Sequence, residues 1–174
     1  MSVTQGKVQL KAALASVSWS IPTSAQNIAQ PVLATSFGRI DTQQFAGEEA
    51  AVTSDHFPYV RIWMPDGDEQ RKTSGGDLAS EKWQLTAAHL WIYQSGFVKD
   101  WQGLGDYFDA VVDATLAYFR NHSSPQPGSP AQVGNDAVSA WGLRQRWRIE
   151  LPEQQGAQLD FRATLSIDVR MTIV

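Results

Sequence analysis

Residues Leu159 to Ile173 alternate without an error. Leu159, Phe161, Ala163, Leu165, Ile167, Val169, Met171 and Ile173 are apolar, and every residue between them is polar. Side chains of a strand point to opposite faces with period two. The run is therefore one long strand with a buried face and a wet face. A strand of this kind needs strand neighbours and a layer to cover its apolar side, which commits the chain to a layered sheet.

The segment Ala137–Leu151 reads as a second strand, with Trp141, Leu143, Trp147, Ile149 and Leu151 on its apolar face. The two runs share parity. Antiparallel pairing would turn the odd residues of both toward a helix and set Glu150 against Arg162 and Arg144 against Asp168. Phe57–Met64, FPYVRIWM, is rich in aromatic and branched residues and predicts a further strand. Trp83–Tyr93 predicts its return partner. Between them, Asp66 to Ser80 is polar and glycine-bearing and predicts a mobile hairpin loop.

Trp101 to Arg120 predicts the main helix. Leu104, Phe108, Val111, Val112, Thr115 and Phe119 form its apolar stripe, and Asp106, Asp109 and Asp113 lie opposite. Val8–Val17 predicts a short helix, with Leu10, Leu14 and Val17 on one side. Gln26 to Ser54 reads as loop with room for one short strand near Val32–Phe37. Ser123 to Ala131, SSPQPGSPA, reads as an exposed linker. The expected fold is α+β: a two-layer antiparallel sheet with one main amphipathic helix packed on it, a short N-terminal helix and long loops. Residues 1–174 are expected to form one domain, with loops at about 66–80 and 121–136.

The balance of 43% hydrophobic and 18% charged residues in 174 is enough for one sizeable core. A net charge of -4 argues against general nucleic-acid binding but not against contact with DNA that must slide without sticking. With no cysteine there is no disulfide framework, thiol nucleophile or thiolate metal site. Lys7 and Lys11 interrupt the apolar N-terminal stretch, so no signal peptide is expected. No stretch is long and apolar enough to predict a membrane span.

The search for chemistry returns little. His56, His89 and His122 sit before a strand, within a strand and after a helix, without metal-ligand spacing. Asp66, Gly67, Asp68 and Asp77 suggest a calcium loop, but Arg71 stands where the glycine is needed and Asp77 where a glutamate is needed. Ser74-Gly75-Gly76-Asp77 lacks the lysine and hydroxyl of a phosphate loop. There is no GxSxG elbow. No catalytic residue, metal site or cofactor is expected. Arg144, Arg146 and Arg148 share one strand face and could meet phosphates or an acidic partner subunit, or pair across the sheet with Asp160 or Asp168. Trp101 is a candidate contact anchor, because tryptophan is enriched at interface hot spots.

The order of these segments resembles the bacteriophage tail terminator proteins. The residues that carry the likeness are His56-Phe57-Pro58-Tyr59-Val60-Arg61-Ile62-Trp63-Met64, then a charged glycine-containing loop and the Trp-led strand within Glu81–Tyr93. An aspartate-faced helix, Leu104–Arg120, and two antiparallel strands, Ala137–Leu151 and Leu159–Ile173, complete it. The longer segment Pro22–Ser54 and the SSPQPGSP insert depart from the pattern and leave open a neighbouring neck or head–tail joining protein.

The resemblance implies a virion protein of the tail or neck, assembled in the host cytoplasm. It would form a homo-oligomeric ring, a hexamer, that caps the tail tube and docks the neck or head-completion protein. DNA would pass through its lumen without specific binding, and no membrane would be involved. The expected assembly loop is Asp66, Gly67, Asp68, Glu69, Gln70, Arg71, Lys72, Thr73, Ser74, Gly75, Gly76 and Asp77. A small-ligand-binding α+β module, and an enzyme using histidines and carboxylates gathered by the fold, are the competing readings.

Overall fold

In the computed structural model, which describes residues 3–42, 52–64, 67–72, 81–122 and 138–173, the C-terminal run is a strand in the interior of a mixed sheet. The elements in chain order are α1 (Val3–Ala15), β1 (Arg39–Asp41), β2 (Tyr59–Trp63), β3 (Gly67–Lys72), β4 (Glu81–Phe97), α2 (Trp101–Asn121), β5 (Val138–Ile149), β6 (Glu153–Gln155) and β7 (Gln158–Ile173). The sheet order is β1-β2-β4-β7-β5, with β3 also on β4 and β6 also on β7. The protein is α+β.

The two longest strands, β4 and β7, pair antiparallel from Lys82 opposite Ile173 to Phe97 opposite Gln158. Shorter strands share their outer edges. β2 covers His89–Tyr93 of β4 and β3 covers Glu81–Thr86. β5 and β6 divide the outer edge of β7 in the same way. Gly156, with φ of 63°, makes the tight turn between β6 and β7, a backbone state that a Cβ would strain.

Both helices lie on one face. Ala88, Leu90 and Ile92 of β4 and Phe161, Ala163, Leu165 and Ile167 of β7 point into the core there. They meet Leu104, Phe108, Val111, Val112, Leu116 and Phe119 of α2. Burial of each large apolar side chain contributes about 1.5–3 kcal/mol. Leu10 and Leu14 of α1, with Val17 just beyond it, extend this core over Val60 and Ile62 of β2.

The long loop after α1 is tied to α2 by polar contacts. The carbonyl of Ala34 accepts from Trp19 Nε1 at 2.9 Å and from the Tyr107 hydroxyl at 2.7 Å. Burial pushes the Tyr107 phenol up to about 12. Gly103 lets α2 approach the turn Thr23–Ala25, since a Cβ there would lie 2.5 Å from the Ser24 carbonyl oxygen.

The structure corrects the sequence reading in several places. The sheet is mixed rather than purely antiparallel, because β1 pairs parallel with β2. The chain between them exceeds the roughly dozen residues that a parallel crossover needs. No strand forms over Val32–Phe37, where backbone groups instead serve Trp19; the strand comes later, at Arg39–Asp41. Gly67–Lys72 is not loop but β3. β4 runs well past β2, and β3 satisfies backbone groups that would otherwise be unpaired.

Three expectations hold. α2 ends one residue beyond the predicted Arg120 and packs through the predicted stripe. The odd residues of β7 from Leu159 to Val169 are buried on the helix side. The predicted register is present too: the Glu150 N–H donates to the Arg162 carbonyl at 3.0 Å, and Arg144 Nε lies 4.0 Å from Asp168 Oδ2. The odd residues of Ala137–Leu151 are expected to form a buried apolar face, but Trp147 and Ile149 of β5 and Leu151 just beyond it are 57%, 44% and 93% exposed. β5 is an edge strand, and α2, although it touches β5, leaves the end that holds Trp147 and Ile149 uncovered.

Candidate functional surfaces

The residues singled out for chemistry are scattered. His56 closes a short turn, accepting from the Thr53 N–H through Nδ1 at 3.1 Å. His89 lies mid-strand in β4, its Nδ1 hydrogen-bonded to Ser166 Oγ at 2.8 Å. His122 stacks on Tyr118 at 4.4 Å, just past the end of α2. The fold does not bring these histidines together. Among the described residues no group of three His, Cys, Asp or Glu side chains could hold a metal ion.

Of the expected assembly loop, Gly67, Asp68, Glu69, Gln70, Arg71 and Lys72 form β3. Asp66, Thr73, Ser74, Gly75, Gly76 and Asp77 lie outside the described residues, as does most of the 121–136 segment. Trp101 stands at the start of α2, 63% exposed.

The molecule has two unlike outer surfaces. The outer side of α2 is acidic, with Asp106, Asp109 and Asp113 all exposed. The Ser24 hydroxyl donates to Asp106 at 2.5 Å. Partial burial and the charges of Asp113 and Asp106 push the Asp109 carboxyl above its ordinary value. Among the described residues no cation is paired with these carboxylates.

The far side of the sheet carries aromatic rings and arginines. Tyr59, Arg61 and Trp63 of β2 alternate onto it, as do His89, Trp91 and Tyr93 of β4. Trp63 and Trp91 lie 5.4 Å apart between ring centroids, and Tyr59 stacks on Tyr93 at 5.7 Å. Arg61 donates to the Tyr59 hydroxyl at 3.0 Å, which donates to Asp41 at 2.9 Å, and Arg39 closes the chain on Asp41 at 3.0 Å. Burial pulls the Asp41 carboxyl up, but the hydrogen bonds from Arg39 and Tyr59 and the Arg39 and Arg61 charges outweigh it and hold it below its ordinary value. Arg144, Arg146 and Arg148 stand exposed at the β5 margin of this side. Read from sequence, the aromatic residues of Phe57–Met64 count as strand propensity and not as a row on the sheet's second side, although Tyr59, Arg61, Trp63 and His89, Trp91, Tyr93 occur at strict two-residue spacing. That signal was legible.

A cleft of about 740 Å³ lies near the ends of β4 and β7, lined among others by Gln30, Val32, Val52, Asp55, Phe57, Phe97 and Gln158. Its apolar walls Val32, Val52 and Phe97 are themselves exposed. Compared with known proteins, the chain matches no family model and no curated sequence.

Proposed function

We propose that this chain is a non-catalytic structural subunit of a tailed phage virion: a tail-terminator-like protein. In this reading it forms a homo-oligomeric ring, a hexamer, on the last ring of the tail tube. It stops tube growth and offers its free side to the neck of the filled head. What supports the reading is the element order: the FPYVRIWM strand, the long return strand β4, the aspartate-faced helix α2 and the closing antiparallel pair β5 and β7. The outer surfaces suit a subunit built for contact. One is acidic, the other is rich in arginine and aromatic rings, and the edge strand β5 exposes Trp147 and Ile149, with Leu151 exposed just beyond it. Arginine and aromatic side chains are enriched at protein interfaces. A net charge of -4 suits a channel through which DNA moves without being held.

The test is to image particles assembled without this protein. Over-long tubes together with filled, tailless heads are expected. Tails of correct length that stay unattached would shift the assignment to a neck or head–tail joining protein. Normal tailed particles would sink both. The cleft beside Phe97 favours one competing reading, a small-ligand-binding module. Stabilisation of the monomer by a small molecule that Phe97→Asp abolishes would support that reading instead.

A further inference from the structure

We propose that the ring closes through charge: the acidic outer side of α2 in one copy docks on the arginine margin of β5 in the next. The inference rests on the ring reading above and names the surfaces that would build it. Arg144, Arg146 and Arg148 are exposed and alternate onto the side of the sheet away from the helices. Arg144 has one distant pairing, with Asp168 at 4.0 Å. Arg146 and Arg148 stand opposite Ser166 and Thr164, so no carboxylate faces them across the strands. Neither has an ion-pair partner among the described residues.

The complementary feature is on the opposite side of the same subunit. Asp106, Asp109 and Asp113 form the exposed side of α2, directly away from its buried stripe. Asp109 is held above its ordinary value by burial and by its two acidic neighbours. A facing guanidinium would relieve that repulsion.

The dimensions agree. Alternate strand residues are about 6.7 Å apart, so the three arginines span about 13 Å. At 1.5 Å per residue, Asp106 to Asp113 spans about 10 Å along the helix. Three cations can therefore meet three anions with side-chain adjustment only. Because the two patches lie on opposite sides of one subunit, satisfying one leaves the other free. Such a contact is heterologous, and it propagates from copy to copy until a ring closes.

The experiment uses the full chain with two double variants: Arg146→Asp with Arg148→Asp, and Asp109→Arg with Asp113→Arg. All four sites are exposed, so each variant should melt cooperatively like the parent. Each alone should be monomeric where the parent forms rings by light scattering and negative-stain microscopy. Its assembly constant should weaken about 100-fold or more, because like charges then face each other. Mixed one to one, the two variants should form rings again with alternating subunits. As a second measurement, the cysteine-free chain accepts a unique pair. Arg146→Cys with Asp109→Cys should give covalent ladders up to ring size under mild oxidation.

Rings that persist in both double variants, or an absence of ladders in rings that do form, would overturn this interface and leave the ring reading standing. A parent protein that stays monomeric, alone and on isolated tube ends, would overturn both. A monomer whose Arg146 and Arg148 are instead needed to retain duplex DNA would overturn the interface in favour of a polyanion contact.

Discussion

β7 and β5 are written in the same alternating code and paired in register, yet they live in different environments. Leu165 of β7 is fully buried, while Trp147, directly opposite it in β5, is 57% exposed. Both point to the helix side of the sheet. The difference lies in what stands above them. β7 runs between β4 and β5 beneath Phe108 and its neighbours, whereas β5 is an edge strand that α2 also touches but leaves uncovered at Trp147 and Ile149. Alternation tells which side of a sheet a residue takes, not whether anything covers that side. The uncovered stripe is where a partner has most to gain.

The sharpest way to break this comparison is to place the same charge on both sides of it. Val112→Asp, at a buried position of α2, should abolish cooperative folding because it buries an unpaired carboxylate. Trp147→Asp should leave a folded subunit and impair only its assembly. Circular dichroism melts of the two variants check this, and a cooperatively melting Val112→Asp protein would refute the assigned packing.

A milder version uses truncation. Leu165→Ala should cost about 2–5 kcal/mol in urea unfolding, as expected of a filled core site. Ile149→Ala, two residues along β5 from Leu165's partner Trp147, should cost under about 1 kcal/mol in the isolated subunit. Equal costs would mean that something covers β5 within the subunit itself.

The link between the Ala34 loop and α2 should respond to pH. Burial raises the Tyr107 phenol from 10.0 to about 12, so the fold favours its neutral form. That contribution is complete below the unfolded value and is lost as pH rises through the folded value, placing the loss between about pH 10 and 12. Tyr107→Phe should cost about 0.5–1.5 kcal/mol at neutral pH through its lost hydrogen bond. It should also flatten the alkaline fall in stability, measured by unfolding at several pH values.

The smallest effect is expected on the acidic side of α2. Asp109 and Asp113 are one helical turn apart, and like charges so placed destabilise a helix by roughly 0.2–0.5 kcal/mol. The folded-state value of Asp109 is raised, so its ionisation opposes folding as pH rises through that value. Asp109→Asn should therefore stabilise the isolated subunit slightly at neutral pH, with the gain shrinking toward acid. In a ring-forming sample the same substitution should weaken assembly, which separates the subunit's interest from the interface's.

Most of what can be read locally was legible. The stripe of α2, the parity of β7, and the register joining Glu150 to Arg162 and Arg144 to Asp168 follow from spacing, because helical and extended chains repeat by local geometry. The aromatic and arginine rows of β2 and β4 were available by the same rule once the sheet's second side was considered. Arg144, Arg146 and Arg148 were found in sequence, but the acidic surface that complements them became meaningful only when the fold set the two on opposite sides.

The sequence by itself determined the α+β class, the central alternating strand, the amphipathic helix and the side each of their residues takes. Those features depend on near neighbours in the chain. Tertiary structure alone decided the parallel pairing of β1, the conversion of Gly67–Lys72 into β3 and the exposure of Trp147, Ile149 and Leu151. The first two answer the demand of distant backbone groups on β2 and β4 for hydrogen-bond partners. The third answers to which part of an edge strand a single helix covers, which no local pattern records.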